Sequence, residues 1–237
     1  MIAQIRRFIK SILPAPVERY IVEEVLDGHA VKSYSQEGED RVLARYFEKQ
    51  QGGFYVDVGA LHPRRFSNTM LFYSMGWRGI TIEPNPNAIP LFAKVRPRDI
   101  HLCVGIAEQE STLEYYAFNE PALNTFDGQL ARKQADIPPF TITSTKRISV
   151  KRLDTVLREH LPPGTKIDFL SVDVEGLDEQ VLRSNSWTEF RPTMIVTEAL
   201  ESSLSSVASL PIDVFLREQG YRLFGKTCNS LFYERIS

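Results

Sequence analysis

The chain has 237 residues, of which 43% are hydrophobic and 24% are charged, and its formal net charge is −2. This length supports one well-formed core and at most a small second module. The balanced charge provides no basic surface for a polyanion, so we expect no nucleic-acid partner. Two cysteines, Cys103 and Cys228, cannot build a disulfide framework, which indicates a reducing, cytoplasmic setting.

The first residues have an amphipathic pattern. Ile2, Ile5, Ile9 and Ile12 recur near helical spacing, while basic residues gather on another side. Two interpretations stay open for residues 1–13: peripheral contact with the inner face of a membrane, or docking on the domain or on a second subunit of a homodimer. We favour docking. The sequence contains no apolar run of about 18 to 20 residues and no signal-peptide pattern, so we expect a cytoplasmic protein.

After residue 50, short apolar segments rich in β-forming residues alternate with helical patterns. Strands are predicted over 54–58, 78–83 and 99–105. Helices are predicted between them, over 67–76 and 85–96. This order indicates parallel strands joined by crossover helices.

A polar stretch over 118–140 follows neither the helical nor the strand period for more than a few residues. We interpret it as an insertion over the ligand site. The alternation then resumes with a helix at 151–160, a strand at 166–173, a helix at 176–185, a strand at 193–198 and a helix at 211–220. Two final strands, 221–225 and 230–236, form a predicted antiparallel hairpin. Five parallel strands and a terminal hairpin predict an α/β, Rossmann-like class I methyltransferase fold with helices on both faces of the sheet.

The segment "GGFYVDVGALHP" (52–63) contains the first of these strands and the turn that follows it. Ligands of such sheets lie outside the carboxyl ends of the strands, beside the first one. A dinucleotide fold needs three glycines there, but Leu61 and Arg64 hold the second and third positions. A pyrophosphate therefore fits badly, which argues against a nicotinamide-dependent oxidoreductase. A ligand without phosphates, such as S-adenosylmethionine, needs one close approach, at Gly59.

Carboxylates end the neighbouring strands. Glu83 follows the second strand, 26 positions after Asp57, where nucleoside-binding folds place an acid that accepts the ribose hydroxyls. Asp173 and Glu198 end the fourth and fifth strands and should be neighbours, with Glu175 close by. Clustered carboxylates either share a proton or hold a divalent cation, for which Asp173 and Glu198 are the candidate ligands.

Methyl transfer to an alkyl hydroxyl requires a base within hydrogen-bond reach of that hydroxyl. Asp173 is the first candidate for this base, followed by Glu175, Glu198 and His62. For His62 three roles stay open: a base, a cofactor contact or a structural tether.

Seven segments in this order resemble the FkbM family of S-adenosylmethionine-dependent methyltransferases. They span roughly residues 33 to 235 and are "YSQEGEDRVL" (34–43), "GGFYVDVGALHP", "SNTMLFYSMGWRGITIEPNP" (67–86), "RPRDI" (96–100), "VKRLDTVL" (150–157), "IDFLSVDVEGLDEQVL" (167–182) and "RPTMIVTE" (191–198). The resemblance implies a methyltransferase domain over 33–237, preceded by a helical extension over 1–32.

The resemblance also implies residue roles. Gln36 would close over the cofactor, Asp57 and Gly59 would shape its amino-acid pocket, Glu83 would bind the ribose and Asp173 would lie by the reacting methyl group. The other candidate cofactor contacts are Ala60, Pro84 and Asn68. Many family members follow the first-strand glycine with asparagine and glycine, whereas this chain has Leu61 and His62.

The resemblance implies O-methylation of a sugar hydroxyl in a bacterial surface glycan or a glycosylated metabolite. The expected partner is therefore a carbohydrate or a glycosylated small molecule. The alternative is a catalytically silent module of the same fold that binds cofactor or glycan.

Overall fold

The computed structural model describes residues 8–21, 30–200 and 203–236. The chain divides into two compact units, Met1–Ser33 and Tyr34–Ser237. In the first unit, residues 8–12 and Ala15–Tyr20 are helical. Ile2 and Ile5 of the predicted amphipathic helix lie outside the described residues. Among the described helices, none combines the length and apolarity that a bilayer span requires.

The second unit contains ten strands in its described part. They are β1 (Phe54–Val58), β2 (Arg78–Ile82), β3 (Ile100–Leu102), β4 (Gly105–Ile106), β5 (Ser111–Phe118), β6 (Ile142–Lys151), β7 (Phe169–Val172), β8 (Met194–Glu198), β9 (Tyr221–Lys226) and β10 (Ser230–Arg235). Seven of them form one sheet in the order β3-β2-β1-β7-β8-β10-β9. The strands from β3 to β8 in this order are parallel, while β10 is antiparallel to both β8 and β9.

Seven α-helices accompany these strands in the described part of the unit. They are α1 (Glu39–Tyr46), α2 (Met70–Ser74), α3 (Ile89–Val95), α4 (Gly128–Ala135), α5 (Leu153–His160), α6 (Asp178–Arg183) and α7 (Pro211–Glu218). Helices connect successive parallel strands, as the crossover rule requires. The predicted fold is confirmed: the unit is α/β, with a mostly parallel sheet and a C-terminal antiparallel hairpin.

Apolar layers cover both faces of the main sheet, which explains why its central strands are continuous apolar runs. In β1 every residue is buried, and the strand alternates between the two layers. Val56 and Val58 belong to an aliphatic layer, whereas Tyr55 belongs to an aromatic one. In the aromatic layer, the Phe72 ring lies 4.8 Å from the Trp77 ring and 4.7 Å from the Phe169 ring. This rigid centre positions the loops at the carboxyl ends of the strands.

The predicted strand over 99–105 was wrong in its second half. Ile100–Leu102 pairs with β2, but Gly105–Ile106 leaves that sheet and pairs with β6. Gly105 permits this path because a Cβ there would lie 2.7 Å from the Phe126 ring. A glycine in a strand often marks such a close approach.

A second sheet, in the order β4-β6-β5, was not predicted. It frames the stretch 118–140, which contains a 3-10 turn (Pro121–Leu123) and α4. Asp127 caps α4, because its Oδ1 accepts the backbone N–H groups of Gln129 and Leu130. Most of the residues in β5 and β6 are exposed or half-buried. The strands therefore lack the clear apolar run or alternation that marks a strand in sequence.

The turn after β1 depends on Gly59. Its φ is +81°, and a Cβ at this position would lie 1.7 Å from the backbone carbonyl oxygen of Asp173. The space that this glycine leaves is therefore taken by the end of β7. The Gly59 N–H also donates to the Ile82 carbonyl at 2.9 Å. The carboxyl ends of three strands therefore meet at this glycine.

We expect Gly59→Ala to lower the free energy of unfolding by on the order of 3 kcal/mol, because it combines a left-handed backbone with a backbone clash. Gly164→Ala is the matched control, since Gly164 has φ +75° but a Cβ there would meet no other atom within 4 Å. It should cost only about 1 to 2 kcal/mol. Urea denaturation measures both values, and equal losses would contradict the role of the clash.

Candidate functional site

A cleft of about 760 Å³, partly open to solvent, lies at the carboxyl ends of β1, β2 and β7. The sequence-predicted residues that line it are Gln36, Gly59, Glu83, Pro84, Asp173 and Glu175. No lysine or arginine is among its lining residues in the described part of the chain. The lining is therefore acidic, and it contains no cationic side chain that would repel a positively charged ligand.

Glu83 has the most fixed geometry of these side chains. It is 5% exposed, and its two carboxylate oxygens accept the backbone N–H groups of Leu61 at 2.9 Å and of Asn85 at 2.8 Å. Burial raises the pKa of Glu83 to about 7, against the effect of these hydrogen bonds. The Tyr115 hydroxyl of the cleft also hydrogen-bonds to this carboxylate, so a ligand hydroxyl would share or replace that contact.

Asp57 lies below the cleft and is not part of its lining. It is 5% exposed and accepts a hydrogen bond from the Thr69 hydroxyl at 2.5 Å. Ala60 is also buried and outside the lining. The structure therefore separates these two residues from the candidates that face the cavity, and their roles in binding stay predictions.

Three carboxylates meet at the ends of β7 and β8. Asp173, Glu175 and Glu198 each offer an oxygen, and these oxygens lie within 4.8 Å of one another. Burial and mutual repulsion raise their pKa values, to about 6 for Asp173, 8 for Glu175 and 9 for Glu198. The predicted neighbourhood of Asp173 and Glu198 is confirmed in the structure. At this spacing the group can share protons or hold a cation.

A smaller pocket adjoins the cleft and shares Gln36, Phe66 and Asp173 with it. Glu198 and Asn68 also line this pocket. Its other members are Glu37, Glu39, Asn229 and Ser230, of which the two glutamates hold the start of β10: Glu37 accepts from Asn229, and Glu39 accepts from the Ser230 hydroxyl. All four acids line this pocket, and Glu37 and Glu39 also secure its wall by holding the start of β10.

Backbone strain is concentrated at the cleft. Leu61, Phe66 and Glu175 are the three non-glycine residues with positive φ in the described chain, with values of 51°, 54° and 53°. All three line the cleft. Such conformations are unfavourable for side chains other than glycine and occur preferentially at functional sites. Their coincidence supports the cleft as the working site.

His62 lines neither pocket. Its Nδ1 accepts the backbone N–H groups of Arg64 at 3.0 Å and of Arg65 at 2.9 Å. Burial lowers the pKa of His62, and the two neighbouring arginines act in the same direction. These contacts correspond to the structural tether among its three open roles, while the other two stay predictions.

Sequence reasoning missed most of the cleft wall that comes from the second sheet. Val104, Ile106, Tyr115 and Phe126 line the cleft there, and Thr125 donates from its hydroxyl to the Glu175 carbonyl at 3.0 Å. These contacts join residues far apart in sequence, so no local pattern marks them. The one available signal was the irregular stretch 118–140.

Arg65 closes one side of this wall. Its guanidinium makes two parallel hydrogen bonds, at 2.8 and 3.0 Å, with the Glu120 carboxylate. This bidentate pair ties the loop after β1 to the turn Pro121–Leu123. The ion pair therefore connects the loop to the insertion at one edge of the cleft.

The raised pKa of Glu198 predicts a pH-dependent stability. Its ordinary value is 4.5, so between pH 4.5 and 9 the folded state keeps a proton that the unfolded state releases. The associated stability is present at low pH and is lost as the pH rises through about 9. Glu198→Gln should reduce the loss of unfolding free energy with rising pH by up to about 1 kcal/mol per pH unit.

Urea denaturation between pH 5 and 9 measures this slope. Glu110→Gln, at an exposed glutamate outside both pockets, is the control and should leave the slope unchanged. A Glu198→Gln slope equal to that of the wild type would show that folding does not raise the pKa of this carboxyl group.

Solved structures of methyltransferases are similar to the chain at low sequence identity and with TM-scores below 0.5. The O-methyltransferase TomG from Streptomyces achromogenes, in complex with SAM, is 11% identical with a TM-score of 0.45, over 99% of this chain and 96% of that one. The C-terminal domain of precorrin-6Y C5,15-methyltransferase from Rhodobacter capsulatus is 15% identical with a TM-score of 0.42, over 89% and 92%. None of the curated proteins compared with the chain matches it.

A family comparison covers most of the second unit. The sequence profile described as "Methyltransferase FkbM domain" matches residues 57–223. This range contains the carboxyl end of β1, the strands from β2 to β8 and the carboxylates Glu83, Asp173 and Glu198. The chain belongs to the FkbM methyltransferase family.

Proposed function

We propose that the protein transfers a methyl group from S-adenosylmethionine to a hydroxyl of a carbohydrate or glycosylated metabolite. The observation that carries this proposal is the acidic lining of the cleft: among its described lining residues are three carboxyl groups, those of Glu83, Asp173 and Glu175, and no lysine or arginine. A ligand with a sulfonium and an ammonium group suits this lining, because its positive charges would favour the ionised forms of carboxyl groups whose pKa values are raised. A pyrophosphate would be repelled, which disfavours a nicotinamide cofactor.

Glu83 supports the orientation of the cofactor. Backbone N–H groups hold both of its oxygens in place, so a ribose diol would meet acceptors that need no rearrangement. The adenine would then lie against the apolar wall formed by Val104, Ile106 and Phe126. Together these groups direct the methionine end of the cofactor along the cleft toward Asp173.

Asp173 is the proposed base. Burial and the neighbouring carboxylates raise the pKa of both Asp173 and Glu198, and the rise is smaller for Asp173. The pair therefore shares a proton near neutral pH, with Asp173 as its more acidic member. The acceptor oxygen attacks the methyl carbon, the carbon–sulfur bond breaks to give S-adenosylhomocysteine, and the hydroxyl proton passes to Asp173. A base with a pKa close to the working pH is suited to this task.

The small pocket beside Asp173 is the proposed entry of the acceptor. Asn68, Asn229 and Glu198 present donors and acceptors there, which suits a polyhydroxylated molecule. The family resemblance supports a glycan or glycosylated metabolite as this molecule. Cytoplasmic location, homodimerisation and contact of residues 1–13 with a membrane stay proposals, and we expect no nucleic-acid partner.

A divalent cation is a second candidate for the carboxylate cluster. Asp173, Glu175 and Glu198 could supply three oxygen ligands, and a cation there would ionise all three carboxyl groups. It would then orient the acceptor hydroxyl. Activity that survives exhaustive chelation would exclude the cation and leave a shared proton as the explanation of the cluster.

The test is incubation with labelled S-adenosylmethionine and a panel of glycans, followed by mass spectrometry of the product. We expect S-adenosylhomocysteine release with at least one hydroxylated acceptor. Asp173→Asn should lower kcat about 10²- to 10⁴-fold, because proton transfer is lost, while affinity for S-adenosylhomocysteine changes far less.

Two results would contradict the proposal. Binding of S-adenosylmethionine without transfer to any acceptor would favour the catalytically silent module. Full activity of Asp173→Asn would remove Asp173 as the base. Glu110→Gln, at the exposed surface, serves as the control for handling and stability.

A further inference from the structure

The segment "RPRDI" (96–100) has no role in the function proposed above, yet its first arginine is fully buried. Arg96 donates from Nε to the Asp99 carboxylate at 2.8 Å, and neither side chain is exposed. Moving such a pair out of water is unfavourable unless its remaining polar atoms also find partners. Those partners show what the pair does.

Thr69 connects Arg96 to Asp57. Its hydroxyl accepts from Arg96 Nη2 at 3.0 Å and donates to the Asp57 carboxylate at 2.5 Å. Thr69 itself is fully buried. Because a hydroxyl has one proton, accepting from the arginine directs that proton toward Asp57. The carboxylate is thereby held in one orientation below the cleft.

The same guanidinium secures the loop in front of α2. Arg96 Nη1 lies 3.4 Å from the Ser67 hydroxyl, so the residues on both sides of Asn68 contact one arginine. The Asn68 amide donates to the Ser171 hydroxyl at 3.1 Å, and Ser171 in turn bonds to Asp57. Asn68 lines the pocket beside Asp173.

Tyr55 and Asp99 keep the arginine itself in place. The Tyr55 hydroxyl accepts from Arg96 Nη2 at 2.9 Å and donates to Asp99 at 2.7 Å. The other Asp99 oxygen accepts the Gly79 N–H of β2 at 2.9 Å. The guanidinium is thus anchored to two strands of the sheet, which lets it act as a fixed support.

We propose that Arg96 is a positioning residue for cofactor binding: acting through Thr69, it fixes the Asp57 carboxylate and the Asn68 loop in the geometry that the cleft requires. This inference rests on the proposed function, because the cofactor is its readout. Burial raises the pKa of Asp57, and Arg96 and the Thr69 hydrogen bond oppose that rise. The arginine therefore also favours the charged form of the carboxylate that it orients.

Thr69→Val tests the connection without disturbing the buried ion pair. Isothermal titration with S-adenosylhomocysteine should show about tenfold weaker binding, as expected for a lost hydrogen bond to a charged group. Thr69→Ser keeps the hydroxyl and should restore most of the affinity. Ser184→Ala is the matched control, because Ser184 is equally buried and hydrogen-bonded but lines neither pocket.

A double-mutant cycle separates positioning from general destabilisation. If Thr69 acts through Asp57, then Thr69→Val should change the affinity less than about twofold in an Asp57→Asn background. An equal loss in both backgrounds, or wild-type affinity of Thr69→Val, would overturn this inference alone. Failure of the wild type to bind S-adenosylhomocysteine would overturn the proposed function and this inference with it.

Discussion

The structure depends on gathering buried and half-buried carboxyl groups at one edge of a parallel sheet, beside a cleft whose described lining contains no lysine or arginine. Glu83, Asp173 and Glu198 each end a strand, and burial raises the pKa of all three. An apolar core on both sheet faces leaves these strand ends as the place where polar groups can gather. Glu83 and Asp173 line the cleft, and the proposed binding of a positively charged cofactor depends on these two acidic side chains.

Hydrogen bonds stabilise two of the carboxylates at this edge. Two backbone N–H groups hold Glu83, and Arg96 supports Asp57 through Thr69. Asp173 and Glu198 have no comparable cationic partner among the described residues. The two groups would repel each other if both were ionised, and this repulsion favours a shared proton. This difference divides the edge into an end that the backbone holds in place and an end where carboxyl groups share protons. The proposed methyl transfer would use the first end to hold a nucleoside and the second to take a proton.

Much of this arrangement could be predicted from the sequence. β1, β2, β7 and β8 are buried on both faces, so their apolar runs mark them, and the strand-end rule then places Glu83, Asp173 and Glu198 together. The role of Gly59 was only half predicted. A close approach was expected from the ligand, whereas the structure shows that the Asp173 carbonyl occupies the space of its missing Cβ.

The rest could not be predicted because it depends on contacts between distant segments. Tyr115 and Phe126 belong to the second sheet and the stretch it frames, where the strands have exposed faces and no period marks them. Arg96 reaches Thr69 across 27 positions, and nothing in "RPRDI" indicates a buried arginine. Such non-local hydrogen bonds are visible only once the sheet has brought the strand ends together.

A crystal structure of the protein with S-adenosylhomocysteine tests the central claim most directly. The account predicts that the two ribose hydroxyls lie within about 3.2 Å of the Glu83 carboxylate oxygens. It also predicts that the sulfur faces Asp173 and that the adenine contacts Phe126. A nucleoside bound outside this cleft, or one whose ribose does not contact Glu83, would contradict the account.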